Sequence, residues 1–327
     1  MHAQAAAGKL RIYFIDVEGG QSTLFVTPGG QSLLIDTGWP DNNFRDADRI
    51  VAAAKKAGLS RIDYVLITHY HDDHVGGVPQ LVQRIPVGTF IDHGPNRELD
   101  HGVTERGYAA FRKVLAETKT KEIVAKPEDR LPIQGIDVTV VSGDGNVIQK
   151  PLAGAEQRNP FCQQSEIRPP DQTENARSLG VMIRFGRLKI LDLGDLTWDK
   201  ERDLMCPDNR LGKVDLLVVS HHGWYQSSSP ALVDAIHSRV AVMDNGEKKG
   251  GSVPVLDTVR HAPGIEALWQ LHYSDEGGAA HNTAAEYIAN LDGPDAGHDI
   301  EVTASRDGSF TVDNGRTGVE KHYAAGK

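Results

Sequence analysis

Thr68-His69-Tyr70-His71-Asp72-Asp73-His74-Val75-Gly76-Gly77 crowds imidazoles and carboxylates into a few consecutive positions directly after Ile62-Asp63-Tyr64-Val65-Leu66-Ile67. The preceding run is apolar and rich in β-branched residues, so it reads as a buried strand with the histidines emerging at its end. In an extended or tightly turned segment His69 and His71 point the same way and can share one cation. Asp73 and His74 lie one step further on, where a turn of the backbone would aim them at a second cation. Imidazole with a little carboxylate suits zinc first, with manganese or iron as alternatives. The competing reading is a polar loop that happens to be rich in histidine.

H-x-H-x-D-H followed by Gly-Gly, after an apolar strand ending in Thr68, resembles the signature of the metallo-β-lactamase-fold hydrolases. The resemblance implies an α/β fold, an αββα four-layer sandwich of two mixed sheets flanked by helices, with two divalent metal ions in a cleft at one sheet edge. It leaves the substrate open, because that superfamily acts on lactams, lactones, thioesters, phosphodiesters and nucleic acids.

The chain has 327 residues, 39% hydrophobic and 24% charged, ordinary values for a globular protein that buries a sizeable core. No apolar run approaches the roughly 18 residues of a membrane span, so no membrane partner is expected. With 35 basic against 45 acidic residues the formal charge is −10. An acidic balance disfavours nucleic acid as a partner, since sequence-independent affinity for it comes from Lys and Arg on phosphates. Residues 1–9 read as a disordered tail or signal-peptide remnant, and 10–327 as one domain. The Ala-rich start, with small residues of the kind found around a secretory cleavage site, points to a periplasmic or secreted protein. Cys162 and Cys206 are either bridged or free, and spacing does not decide.

Leu10 to Val17, Ser22 to Thr27 and Ser32 to Asp36 read as strands joined by tight turns. Phe44 to Ala57 carries apolar residues at helical spacing, stopped by Gly58. Another helix is expected over Gly76 to Arg84, then a strand over Val87 to Asp92 and a helix around Tyr108 to Thr118. His93 and His101 are candidates for the cleft wall. Gly143 to Thr173, polar and rich in Gly and Pro, reads as a long surface loop or lid. In the resembled family an aspartate at the place of Asp36 braces the metal loop by accepting an imidazole N–H. Asp72 reads as a bracing or surface carboxylate.

Ser178 to Phe185 and Arg187 to Leu193 read as strands around Gly186, ending in Gly194-Asp195. By resemblance, Asp195 is the carboxylate bridging both metals. Where most members carry a histidine ligand ahead of this strand, the chain has Asn175, a weaker donor. The Asn-x-x-Ser pattern resembles the branch of competence-type DNA-uptake proteins and choline-phosphate esterases, which leans towards phosphodiesters. Val214 to Ser220 is a buried strand running into His221-His222-Gly223. One of this pair is expected to complete the second metal site: His221 as ligand, with His222 facing substrate. The Gly-His-Pro of that branch is missing from Gly250 to Pro254, which weakens a nuclease reading; His272 and His281 are nearby alternatives. Arg239 to Met243 reads as a last core strand, and Asp299 to Ser305 with Ser309 to Asp313 as a closing hairpin.

The function expected is metal-dependent hydrolysis of an ester or phosphodiester bond in a small or medium-sized molecule by a hydroxide held between two metals. Asp73 would hold and orient, and His222, Tyr225 or solvent would deliver the leaving-group proton. A lactonase or β-lactamase-type ring opening is one alternative, and a catalytically idle metal-binding protein another.

Overall fold

The computed structural model describes residues 8–40, 42–99, 102–155, 157–291 and 296–326, which leaves most of the expected tail and His101 outside. A nine-stranded sheet runs in spatial order Glu320–Tyr323, Phe310–Asn314, Ile300–Ala304, Leu10–Phe14, Thr23–Val26, Ser32–Ile35, Ile62–Leu66, Val87–Asp92 and Lys121–Val124. An eight-stranded sheet runs Ile288–Asn290, Ala267–His272, Val240–Met243, Leu216–Val218, Leu188–Asp192, Val181–Phe185, Asp137–Val140 and Arg130–Leu131. Both mix parallel and antiparallel pairs.

Successive strand residues face opposite sides, so a strand covered on both faces must be apolar almost throughout. Leu10, Ile12 and Phe14 point into the core between the sheets, where they meet Val181, Ile183, Val240 and Trp269. Tyr13 and Ile15 point the other way, against Ile50 and Ala54 of the helix Arg45–Lys56 and Phe111 of the helix Gly102–Thr118. On the second sheet Met182, Leu191, Leu217 and Ala241 turn outwards to Leu204, Leu232 and Leu256, from the helices Trp198–Met205, Pro230–Ile236 and Val253–Arg260. The layers are helix, sheet, sheet, helix, as expected.

Several local expectations shift. The first helix begins at Arg45, because Phe44 is left-handed (φ 66°) and its exposed ring lies under the Arg84 guanidinium. The helix expected over Gly76 to Arg84 is only the short turn Val78–Leu81, and a separate turn, Asp72–Val75, precedes it inside the motif. Pro79 has no N–H to give the Val75 carbonyl, so the second turn starts afresh. The closing hairpin gains a third strand, Glu320–Tyr323, and its first strand pairs with Leu10–Phe14. Tyr323 is buried there and accepts a hydrogen bond from Trp269 Nε1 at 3.0 Å. Cys162 and Cys206 are disulfide-bonded. The Gly143 to Thr173 segment is therefore tied down, and Asn159 Nδ2 also donates to Met205 O (3.0 Å) and Ala231 O (2.8 Å).

The strands Ser32–Ile35, Ile62–Leu66 and Val87–Asp92 run parallel, as do Leu188–Asp192, Leu216–Val218 and Val240–Met243 in the other sheet. The residues just beyond their carboxyl ends include Asp36, His69 to His74, Asp195, His221, His222 and Asp244.

Candidate metal centre

Asp36 is sealed from solvent in a left-handed backbone conformation (φ 59°). Its Oδ1 accepts the Thr68 N–H at 2.8 Å, and its Oδ2 accepts the Thr68 hydroxyl at 2.7 Å and lies 2.7 Å from His74 Nδ1. With the proton of His74 on Nδ1, its Nε2 is left to offer a lone pair inwards. Burial raises the Asp36 carboxyl above its ordinary range against the pull of His74.

His69 Nε2 and His71 Nδ1 face each other at 3.1 Å. Their other nitrogens are held, His69 Nδ1 by Thr68 Oγ1 at 3.1 Å and His71 Nε2 by Glu98 Oε2 at 3.0 Å. On the other side His74 Nε2 and His222 Nε2 lie 3.2 Å apart, and Asp73 Oδ2 is 3.3 Å from the first and 3.1 Å from the second. Asp195 stands between the two sets. Its Oδ1 is 3.3 Å from His74 Nε2 and 3.6 Å from His222 Nε2; its Oδ2 is 3.3 Å from His221 Nε2 and 3.8 Å from His69 Nε2.

These residues perturb one another strongly. Burial works to raise Asp195, but His221, His74 and His222 outweigh it and hold the carboxyl well below the usual range. Burial likewise opposes the charge on His74, yet Asp195, Asp73 and Asp36 carry it well above an ordinary histidine. Burial pushes His69 well down and His221 down to about 4, so both stand as neutral imidazoles at neutral pH.

The donors fit a divalent cation. Asp73, His74, Asp195 and His222 each offer one atom, and the four atoms lie within 4.8 Å of one another. Two ring nitrogens face to face beside a carboxylate oxygen leave the lone pairs converging on one point, which a cation relieves. Asp195 Oδ1 and Asn175 Oδ1 are buried without a hydrogen-bond partner, at a cost a cation would remove. Lys249 Nζ, which also bonds Gly19 O at 2.6 Å, reaches Asp73 Oδ2 and sets a positive charge beside the cluster.

His222, rather than His221, lies with Asp73 and His74, reversing the expected places of the pair. Both residues are left-handed (φ 57° and 53°), strain of about 1–3 kcal/mol each for a residue with a Cβ. The turn they make rotates His222 inwards and places His221 against the other oxygen of Asp195. Tyr225, expected near the leaving group, is half-exposed and lines a separate hollow of about 440 Å³ with Arg168, Pro169 and Trp198. The hollow over the histidine pair, about 270 Å³, is lined by His221, His222, Trp224, Lys248, Lys249 and Gly250. A larger hollow of about 700 Å³, walled by Arg158, Phe161, Lys213 and His237, contains none of the clustered donors, so chemistry rather than volume locates the centre.

Asn175 is buried in the turn Glu174–Arg177 that leads to Ser178, whose hydroxyl lies 3.5 Å from His69 Nδ1. Asp72 sits at the start of its helical turn, with Oδ1 about 3.1 Å from where a Cβ on Gly107 would stand. His93 is turned away onto Glu174 Oε2 at 2.9 Å. His272 pairs with Asp16 Oδ1 at 2.7 Å, and His281 with Asp257 Oδ1 at 2.8 Å. Sequence reasoning missed Glu98 and Lys249. Neither belongs to a spacing pattern, although Lys248-Lys249 ahead of Gly250-Gly251 is a basic pair next to a turn.

Residues 16–150 match the model of the metallo-beta-lactamase superfamily. The chain carries a metallo-β-lactamase superfamily domain. Among curated relatives, it is 31% identical over 112 residues to a beta-lactamase-like protein 2 homolog of Caenorhabditis elegans, covering 33% of this chain and 37% of that one. It is 29% identical over 119 residues to a hydroxyacylglutathione hydrolase of Klebsiella pneumoniae subsp. pneumoniae, covering 36% of each. The matched stretches thus span about a third of these relatives' own length. Among solved structures, a diphosphatase of the PhnP family is similar with a TM-score of 0.42 and 14% identity, covering 78% of this chain and 93% of that one.

Proposed function

We propose that the protein is a binuclear metal-dependent hydrolase that cleaves an ester or phosphodiester bond in a small or medium-sized, negatively charged molecule. The observation that carries this reading is the Asp195 carboxylate, buried, ionised and flanked by imidazoles on both oxygens. His69, His71 and Asp195 would hold one ion, and Asp73, His74, His222 and Asp195 the other. Bound divalent cations supply Lewis acidity and lower the pKa of water from about 15.7 towards neutrality.

The protein's own groups do the rest. Asp36 and Glu98 fix the ring orientations of His74 and His71, so both present the inward nitrogen. Trp224 and the Lys249 stem wall the hollow, and the Lys249 ammonium is placed to meet a substrate carboxylate or phosphate. With His222 turned into the donor set, proton delivery falls to Lys249 or solvent. Zinc suits the donors best, with manganese or iron as alternatives. The phosphodiester preference draws on the Asn175-x-x-Ser178 resemblance to the competence-type branch. Among the described residues no helix is long and apolar enough to cross a membrane. The disulfide supports a periplasmic or secreted location.

The test loads the protein with zinc or manganese and assays a bis-aryl phosphate, an aryl ester, a homoserine lactone and a chromogenic cephalosporin. Turnover of either of the first two, abolished by Asp195→Ala, is expected. Turnover confined to the lactone or the cephalosporin would replace the reading with ring opening. No turnover of any, with metal bound, would leave an idle metal-binding protein.

A further inference from the structure

We infer that the adjacent histidines serve different cations: His222 belongs with Asp73 and His74, whereas His221 completes the set formed by His69, His71 and Asp195. The inference rests on the binuclear reading and says how its donors divide. The Asp195 carboxylate sorts the imidazoles two and two. His74 and His222 approach Oδ1, and His69 and His221 approach Oδ2.

The backbone explains how neighbours in sequence reach opposite oxygens. Two consecutive left-handed residues swing the chain so that both side chains face Asp195 from different angles, an arrangement an extended strand, with its alternating faces, forbids. The turn is clamped on both sides. His221 N–H donates to Gly194 O at 3.1 Å, which ties it to the residue preceding Asp195, and His222 O accepts Gly251 N–H at 2.8 Å. A Cβ on Gly250 would stand 2.0 Å from His222 O, so only glycine allows this approach (φ 76°).

The His221 ring is also set from behind: its Nδ1 lies 3.3 Å from the buried Ser227 hydroxyl, which donates to Asp195 O at 3.3 Å. His222 Nδ1 lies 3.6 Å from Asp244 Oδ1, an electrostatic contact rather than a hydrogen bond. Both rings turn Nε2 towards Asp195. Among the described residues the first set otherwise lacks a third imidazole, since the turn Glu174–Arg177 beside it offers only the Asn175 amide. Three imidazoles and one carboxylate oxygen make a tetrahedral zinc set; two imidazoles and one oxygen fall a donor short.

The test counts zinc per chain by elemental analysis after dialysis, with thermal unfolding confirming that each variant is folded. Glycine replaces His221 and His222 because it adopts left-handed backbone without penalty. The wild type is expected to retain about two ions and His221→Gly about one. Combining His221→Gly with His71→Ala still leaves one, because both remove the same ion, whereas combining it with His222→Gly leaves none. The opposite pattern, equal counts for the two double variants, or two ions retained by His221→Gly would overturn the division while leaving the binuclear reading intact. Fewer than two ions in the wild type would remove that reading and the division with it. Should a glycine variant not fold, glutamine at the same position is read by the same counts.

Discussion

Asp36 matters without touching a cation, since its carboxylate sets which nitrogen of His74 carries the proton. Asp36→Ala is expected to weaken zinc binding about 10–100-fold, the usual cost of losing such a partner, as read by competition with a chromogenic chelator. Lys249→Ala isolates the other residue-scale role. It should raise KM for an anionic ester about tenfold, change a neutral aryl ester little, and leave the zinc count unaltered, as steady-state kinetics on both esters will show. His69, His71, Asp73 and His74 were legible as a group because a strand end concentrates them in one short motif. Lys249 was not, because it meets Asp73 across 176 residues of sequence and no local spacing encodes that meeting.

The elements that present these residues were legible where one physical signal dominates. Ile62 to Ile67 reads as a buried strand because both its faces are covered, and Phe44 to Ala57 as a helix because one face is. The short strands Lys121–Val124, Arg130–Leu131 and Glu320–Tyr323 were not read, since each carries too few apolar residues to show a period. The place of His222 among Asp73 and His74 was not legible for a related reason: the chain is left-handed twice in succession at that strand end, and no local spacing signals it. The Gly143 to Thr173 segment was expected as a surface loop or lid, but it holds the short strands Asn146–Val147 and Gln157–Arg158 and the turn Pro160–Gln163, and its attachment depends on Cys162 pairing with Cys206, 44 residues away. Reducing that bridge, or replacing both cysteines with serine, should cost about 2–4 kcal/mol in denaturant unfolding. A zinc count unchanged by reduction would place the effect in the scaffold rather than the centre.

Across the whole molecule the two sheets bring their donors to the same edge, His69, His71, Asp73 and His74 from the first and Asp195, His221 and His222 from the second. The layered architecture was expected only through the family resemblance carried by the His69 to His74 motif, and the closure of the first sheet by residues 300 to 323 was not expected, because it pairs strands far apart in sequence. The proposed donor sets predict how acid releases metal. Burial opposes charge on His71, His74 and His222, yet nearby carboxylates raise all three above an ordinary histidine, while burial lowers His69 well below that value and His221 to about 4. A protonated imidazole cannot ligate, so cation affinity falls as pH falls through each imidazole's own range. Each set therefore contains an imidazole that protonates above the ordinary histidine range, His71 in one and His74 and His222 in the other, so zinc should leave both as pH falls below neutrality. Zinc counts after dialysis at stepped pH between 8 and 4 should fall over one range that begins near neutrality, and an ion retained down to pH 5 would contradict this.

The central claim is that one buried carboxylate stands between two cations. Diffraction from zinc-loaded crystals at the zinc absorption edge tests it most directly. The account predicts two anomalous peaks, one against each oxygen of Asp195, the first among His69, His71 and His221 and the second among Asp73, His74 and His222. An absence of peaks at Asp195, or a single peak bound by histidines from only one sheet, would contradict it.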